Sequence, residues 1–200
     1  MNRKIQLIDR ILTIELNMFL AVPSQQAEGC QRYPDQFKHH RKAQFMAWSE
    51  STLASYFKDL KDAQTNNENL MTFKYARMEN LLPPRFKRPL VKKMVAIQLN
   101  WQREMFKKYP ALMKRARSLE PSSDTVSQTS FETYLSGELE SYSEHTLHCL
   151  YQDIQDKLKH QINMAEEIYD YLVRAMGYES LVQVEKSLGE AKKKVSDKKI

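Results

Sequence analysis

An all-α fold, an irregular single-domain bundle of six to eight helices, is what this sequence predicts, and three observations lead there. Its 200 residues (23.6 kDa) are 42% hydrophobic, 28% charged and 10% aromatic, enough to bury the core of one ordinary domain. With only four glycines and seven prolines, the chain lacks the turn residues of a sheet-rich fold or a Gly-rich nucleotide loop. Apolar residues recur at spacings of three and four along most of the chain, and no segment reads as a convincing strand.

Ile5, Ile8, Ile11, Leu12 and Phe19 set the first helix, from about Asn2 to Ala21, and Pro23 ends it. A polar loop runs from Val22 to Pro34, with Gly29 and Pro34 as breakers. Asp35 can cap a second helix striped by Phe37, Phe45 and Trp48, which runs on or restarts at Ser49 through Leu53, Tyr56, Phe57 and Leu60. After a turn at Thr65-Asn66-Asn67, Asn69 caps a helix reaching Leu82 before Pro83-Pro84. Met94, Ile97, Trp101 and Met105 mark a helix from Pro89 to about Lys108, and Pro110 kinks or restarts the chain. Ser118 to Thr129 reads as a surface loop. One long amphipathic helix is expected from Ser130 to about Gln161, another from Asn163 to Met176 closed by Gly177, and a short one from Glu179 to Leu188.

Charge separates a body from a tail. Lys and Arg number 31 against 25 Asp and Glu, a net +6, and Ala191 to Ile200 alone carries +4 of it. The organisation expected is one helical domain over 1–190 and a flexible Lys-rich tail over 191–200. A nucleic-acid reader would carry its excess charge on a folded face. The remaining basic run (Arg85, Lys87, Arg88, Lys92, Lys93) is interleaved with Phe86 alone, so nucleic acid is not the expected partner. Asp9, Arg10 and Glu15 interrupt the apolar N-terminus before a signal-peptide core accumulates, and no run is long enough to span a membrane. Two cysteines without CxxC spacing, Cys30 and Cys149, argue against a disulfide framework and for reduced thiols in the cytoplasm.

The informative pattern is polar residues set inside apolar stripes. Glu15 continues the line of Ile8, Ile11 and Leu12. Arg41 and Gln44 sit between Phe37, Phe45 and Trp48, while Lys74 falls among Leu70, Met78 and Leu81. Gln98 lies on the face of Met94, Ile97 and Trp101, and Tyr134, Glu138, Tyr142 and His145 form one line along the long helix. Burying an unpaired charge is costly, so these groups must meet partners, water or a ligand. Two outcomes fit: an interior polar pocket for a small anionic molecule, or a satisfied buried network that fixes packing. In the first, Arg41, Lys74, Gln44, Gln98 and Glu15 bind the ligand, Glu138 acts as general acid or base, and Tyr134 and Tyr142 orient it.

Two further chemistries are weaker. His145 and His148, three apart with Glu138 and Glu15 expected nearby, are the metal-ligand candidates, although Glu-x-x-His pairs and HExxH are absent. Cys30 is a candidate nucleophile if Arg41 lowers its pKa, against the plainer reading of a buried thiol. The sequence names no cofactor.

Three segments carry a family resemblance. They are Gly29-Cys30-Gln31 running through Phe37, Arg41 and Gln44 to Trp48; Asn69-Leu70 with Lys74-Tyr75-Ala76-Arg77-Met78; and Thr129 to Leu135 followed by Gly137-Glu138-Leu139 and Tyr142-Ser143. In this order and spacing they resemble the bacterial domain-of-unknown-function family 4125, which Tyr109-Pro110 and Gly177-Tyr178-Glu179-Ser180-Leu181 also fit. The resemblance covers Leu7 to Leu188 and implies a cytoplasmic helical domain, with no reaction attached. It picks out Arg41, Gln44, Lys74, Gln98, Tyr134 and Glu138, and departs at Ser24-Gln25-Gln26-Ala27-Glu28, where the family suggests an Asn and Gly-Gly-Arg-Ala. That loss of glycine argues against a backbone-lined anion site in the loop. The function expected is a small-anion pocket open to acid/base catalysis; the alternative is a non-enzymatic helical module that docks a protein partner.

Overall fold

Side-chain caps and prolines divide the chain into its helices. A computed structural model describes residues 2–23, 31–83, 89–125 and 128–196, with side chains as far as 190. Among these residues ten α-helices form one domain, nine of them seven residues or longer. They are α1 (Arg3–Leu20), α2 (Pro34–Met46), α3 (Glu50–Thr65), α4 (Leu70–Met78) and α5 (Pro89–Lys108), then α6 (Pro110–Met113), α7 (Phe131–Glu140), α8 (Glu144–Lys159), α9 (Met164–Ala175) and α10 (Leu181–Ser196). The all-α class holds, and the described residues contain no strand beyond an isolated bridge from Thr125 to Gln128.

The count exceeds the expected six to eight for three local reasons. Ser49 caps α3, its hydroxyl accepting from the Thr52 N–H at 3.2 Å, so α2 and α3 are separate. Pro110 starts a four-residue helix of its own. The long helix expected from Ser130 is two helices. Ser143 leaves the helical region (φ −64°, ψ 161°) and caps α8, while Asp59 of α3 accepts its N–H at 3.0 Å. At the other boundaries, α4 stops at Met78, with Asn80 left-handed at φ 57°, short of the expected Leu82. Gly177, at φ 90°, follows α9 as expected. The last helix starts at Leu181 and reaches Ser196, beyond the expected Leu188.

Helix α1 packs against α2, α3 and α4; α3 lies on α8; α4 on α7; and α5 on α7, α8 and α9. The C-terminal α10 rests on α6 and α9. Helices α3 and α8 run antiparallel and cap one another. Asp153 of α8 accepts from the Ser49 N–H and the Thr52 hydroxyl, as Asp59 does from Ser143 at the opposite end. Each carboxylate thus sits at the positive end of its partner helix. Glu185 does the same for α6, its two oxygens accepting the Ala111 and Leu112 N–H groups at 2.8 Å each.

Helix α7 approaches α4 closely at Gly137. A Cβ there would lie 3.1 Å from the Lys74 carbonyl oxygen and 3.2 Å from Met78 Cγ. The flexible methionine can yield; the helical carbonyl cannot. Gly137→Ala gains helix propensity of up to about 1 kcal/mol but pushes the two helices apart, as overpacking does at a cost of about 1–3 kcal/mol. Chemical denaturation should therefore show a net loss of stability, larger still for Gly137→Val.

Candidate functional site

The residues that break the apolar stripes converge between α1, α2, α3, α4 and α7. Arg41, 3% exposed on α2, places Nε 2.9 Å and Nη2 2.6 Å from the two oxygens of Glu15 on α1, a bidentate fork. Its Nη1 donates to Glu138 Oε1 on α7 and to Gln44 Oε1, both at 2.6 Å. The Gln44 amide in turn donates to Glu138 Oε1 at 2.8 Å. Lys74 of α4, 2% exposed, donates to Glu138 Oε2 at 2.7 Å and to the Tyr134 hydroxyl at 2.8 Å. Two cations and two carboxylates therefore alternate as Glu15, Arg41, Glu138, Lys74, with no net charge.

Aromatic residues close over them. Tyr56 of α3 donates its hydroxyl to Glu15 Oε1, and Tyr142, in the turn between α7 and α8, donates to Glu138 Oε1, both at 2.5 Å. Their rings are edge-on at 4.8 Å, with Trp48 edge-on to both at 5.9 Å. Arg41 lies 4.6 Å from the centroid of Phe45. This apolar cover removes water and strengthens each interaction beneath it.

Burial alone would raise the Glu138 carboxyl; Arg41, Lys74 and the donated hydrogen bonds overcome it and hold the group well below the usual carboxylate range. Burial would lower Arg41, yet Glu138 and Glu15 raise it further above its usual value. Tyr56 and Tyr142 are pushed well above the ordinary phenol value, first by burial and then by the carboxylates they face. Glu138 is thus a fixed anion, too weak a base for proton abstraction near neutral pH.

The other candidates stand apart. Gln98 is half-buried on α5 and makes no hydrogen bond with the cluster, although α5 also packs against α7. His145 and His148 are exposed on α8, His145 Nε2 lying 3.8 Å from Cys149 Sγ and His148 Nδ1 2.8 Å from the Glu144 carbonyl. The break before α8 takes them off the Tyr134–Glu138 line, so their expected approach to Glu138 and Glu15 does not occur. Among the described residues no three His, Cys, Asp or Glu side chains converge as a metal centre. Cys30 and Arg85 to Arg88 lie outside the described residues, as does the end of the basic tail. Tyr56 was legible only as apolar; its polar role lies in a hydroxyl at the end of a buried ring.

Clefts are open elsewhere among the described residues. One of about 790 Å³ lies between the end of α4 and the start of α7, and one of about 440 Å³ is lined by Tyr109, Ile162, Glu166 and Val182. Neither is lined by Glu15, Arg41, Lys74 or Glu138. No helix among the described residues is long and apolar enough to cross a membrane.

Fold and cluster together define an all-helical domain organised on a buried, electrically neutral ion-pair chain. Residues 5–186 match the family described as protein of unknown function (DUF4125), and the chain belongs to that family. No curated protein and no solved structure matches it.

Two outcomes follow. Arg41→Ala leaves two buried carboxylates facing each other and should cost about 3–5 kcal/mol, whereas Tyr56→Phe removes one neutral donor and should cost about 1–2 kcal/mol; denaturant titration separates them. The pH dependence has two arms. The unfolded chain takes up the Glu138 proton near the usual 4.5, which the folded carboxyl resists, so this stability is complete above that pH and lost as pH falls below it. Unfolded tyrosines ionise near 10.0 while Tyr56 and Tyr142 stay protonated, so stability also falls as pH rises above 10.0. Thermal midpoints across pH should show that plateau, with a flatter acid arm in Glu138→Gln.

Proposed function

We propose that this protein is a non-enzymatic helical interaction module, with the buried charge cluster serving to fix the packing of its helices. The observation that carries this reading is the mutual pairing of the cluster: Arg41 donates to Glu15, Glu138 and Gln44, and Lys74 to Glu138 and Tyr134. A small anion at this place would have to displace Glu138 from both cations, stranding a buried carboxylate at a cost of several kcal/mol. Acid/base catalysis would need Glu138 to exchange protons near neutral pH, and its cationic neighbours oppose that.

Function is then carried by the outer faces. Large apolar side chains stand in solvent at several helix ends: Leu81 on one side, and Ile162, Met176 and Val182 around α9 and α10. Ile162 and Val182 border the smaller cleft, whose carboxylates Glu166, Glu167 and Asp170 are engaged by Lys108, Lys157 and Arg174. An apolar rim with neutralised charges suits a helix or strand of another protein laid across it. The module works where the chain is folded with reduced thiols, consistent with a cytoplasmic setting.

Immobilised intact chain is the bait for the test, with proteins taken from the cells that make it, and each captured protein is then titrated in purified form. Saturable binding weakened at least about tenfold by Val182→Glu or Leu81→Glu, with Tyr134→Phe unaffected, is the expected result. Native mass spectrometry supplies the opposing outcome. A small anion co-purifying with the chain, and lost in Lys74→Met, would replace this reading with an interior ligand site.

A further inference from the structure

Helix α5, the longest among the described residues, has two faces of opposite character. Met94, Trp101 and Met105 are buried on the side that meets α7, α8 and α9. Lys92, Ala96, Asn100, Arg103 and Lys107 recur at spacings of three and four on the other side, all exposed, with Lys93 beside them. From Lys92 to Lys107 this stripe runs about 22 Å along the helix.

Its charge is one-sided. From Pro89 to Arg117 the chain holds eight lysines and arginines against one carboxylate, Glu104. The Asn163 amide engages Glu104 at 2.8 Å. Glu120 reaches Arg103 at 3.3 Å, but these side chains are 58% and 44% exposed, and water leaves such a pair little energy. Lys93 lies 5.0 Å from the centroid of the Tyr151 ring. Lys92 and Lys107 have no partner among the described residues. On other helices the outward lysines are paired, Lys58 with Asp62 and Lys157 with Glu167. The cations of α5 lack such close carboxylates.

We infer that the outer face of α5 docks an acidic helix of a partner protein, its carboxylates meeting Lys92, Arg103 and Lys107 and its backbone passing over Ala96. This rests on the reading of the chain as an interaction module, and it defines the partner's charge. Carboxylates spaced by three and four residues share one face of a helix, so a partner helix can match cations set at the same spacing. A small side chain at Ala96 and the short amide at Asn100 leave room for that helix between the longer cationic arms. The stripe suits duplex nucleic acid less well. Such binding draws on about 6–10 phosphate contacts, more than four cations supply, and the nearby ring of Tyr151 lies under Lys93 rather than open for a base to stack on.

The probe is a fluorescently labelled helical peptide of four Glu-Ala-Ala-Ala repeats, titrated with the intact chain and followed by anisotropy. Saturable binding that weakens with added salt is expected, and the same peptide with lysine in place of glutamate should not bind. The double variant Lys92→Glu/Lys107→Glu should weaken binding at least about tenfold. Lys58→Glu/Lys61→Glu, an equal change of net charge on α3, should leave it within about twofold. All four positions are exposed, and unchanged thermal midpoints report that the variants fold. The inference is overturned if binding does not saturate, if the α3 variant weakens it as much as the α5 variant, or if a short DNA duplex binds more tightly and is lost in the α5 variant. Val182 and Leu81 are untouched in that variant. A captured protein that binds it as tightly as the parent therefore overturns the α5 face alone and leaves the interaction reading standing.

Discussion

The fold turns on a guanidinium that cannot be left without partners. Arg41 is drawn out of water by the stripe it sits in, and an unpaired cation at that depth would not be tolerated. Glu15 answers it with two oxygens, but the geometry of the fork leaves Nη1 pointing away, toward α7. Glu138 takes that contact, and would itself leave the cluster one negative charge in excess. Lys74 closes the account from the other side. Each of α1, α2, α4 and α7 contributes one charge, so a slip of one residue in any of them would strand an ion. Buried ion pairs add little net stability against apolar replacements, but they penalise wrong registers heavily. The cluster is best understood as a device that selects one arrangement of four helices.

That device needs tight walls. Gly137 lets α7 approach the Lys74 carbonyl so closely that a Cβ would lie 3.1 Å from it, and the lysine reaches Glu138 across the gap. Trp48, Phe45, Tyr56 and Tyr142 then keep water out, two of them donating hydroxyls inward as they do so. The same residues set the acid and alkaline limits expected of stability, because carboxylate and phenols are held in the protonation states that pairing requires.

How much of this could be read beforehand depends on whether the signal is local. Glu15, Arg41, Lys74 and Glu138 stand out because a charge inside an apolar stripe violates the helical pattern, and complementary signs suggest that they meet. Gln98 violates its own stripe in the same way, and α5 does pack against α7, yet it makes no bond to Glu138; periodicity gives a face without saying which side chain it meets. His145 was drawn onto the Tyr134–Glu138 line by assuming one long helix. Ser143, with Thr146 three residues on and Glu144 in the first turn, carried the cap signal that ends that assumption. Tyr56 could not be distinguished from an apolar residue, since its ring packs like one and only its hydroxyl acts. The caps themselves, at Asn2, Ser49, Asn69, Ser143 and Asn163, are local and legible; the carboxylates of Asp59, Asp153 and Glu185 that reach across to other helices are not.

Pairing also separates structure from function within this chain. A buried polar atom with a full set of partners has its interaction energy committed in the folded state, and a ligand can gain from it only by breaking what is there. Arg41 and Glu138, the residues most suggestive of chemistry from sequence, are the most fully committed. The large apolar side chains left in solvent are ordinary in sequence: a leucine beyond one helix end, a methionine after another, a valine in the last helix. None of them breaks a pattern, so none is conspicuous until the fold leaves it uncovered. In this chain the strongest sequence signal thus marks what holds the domain together.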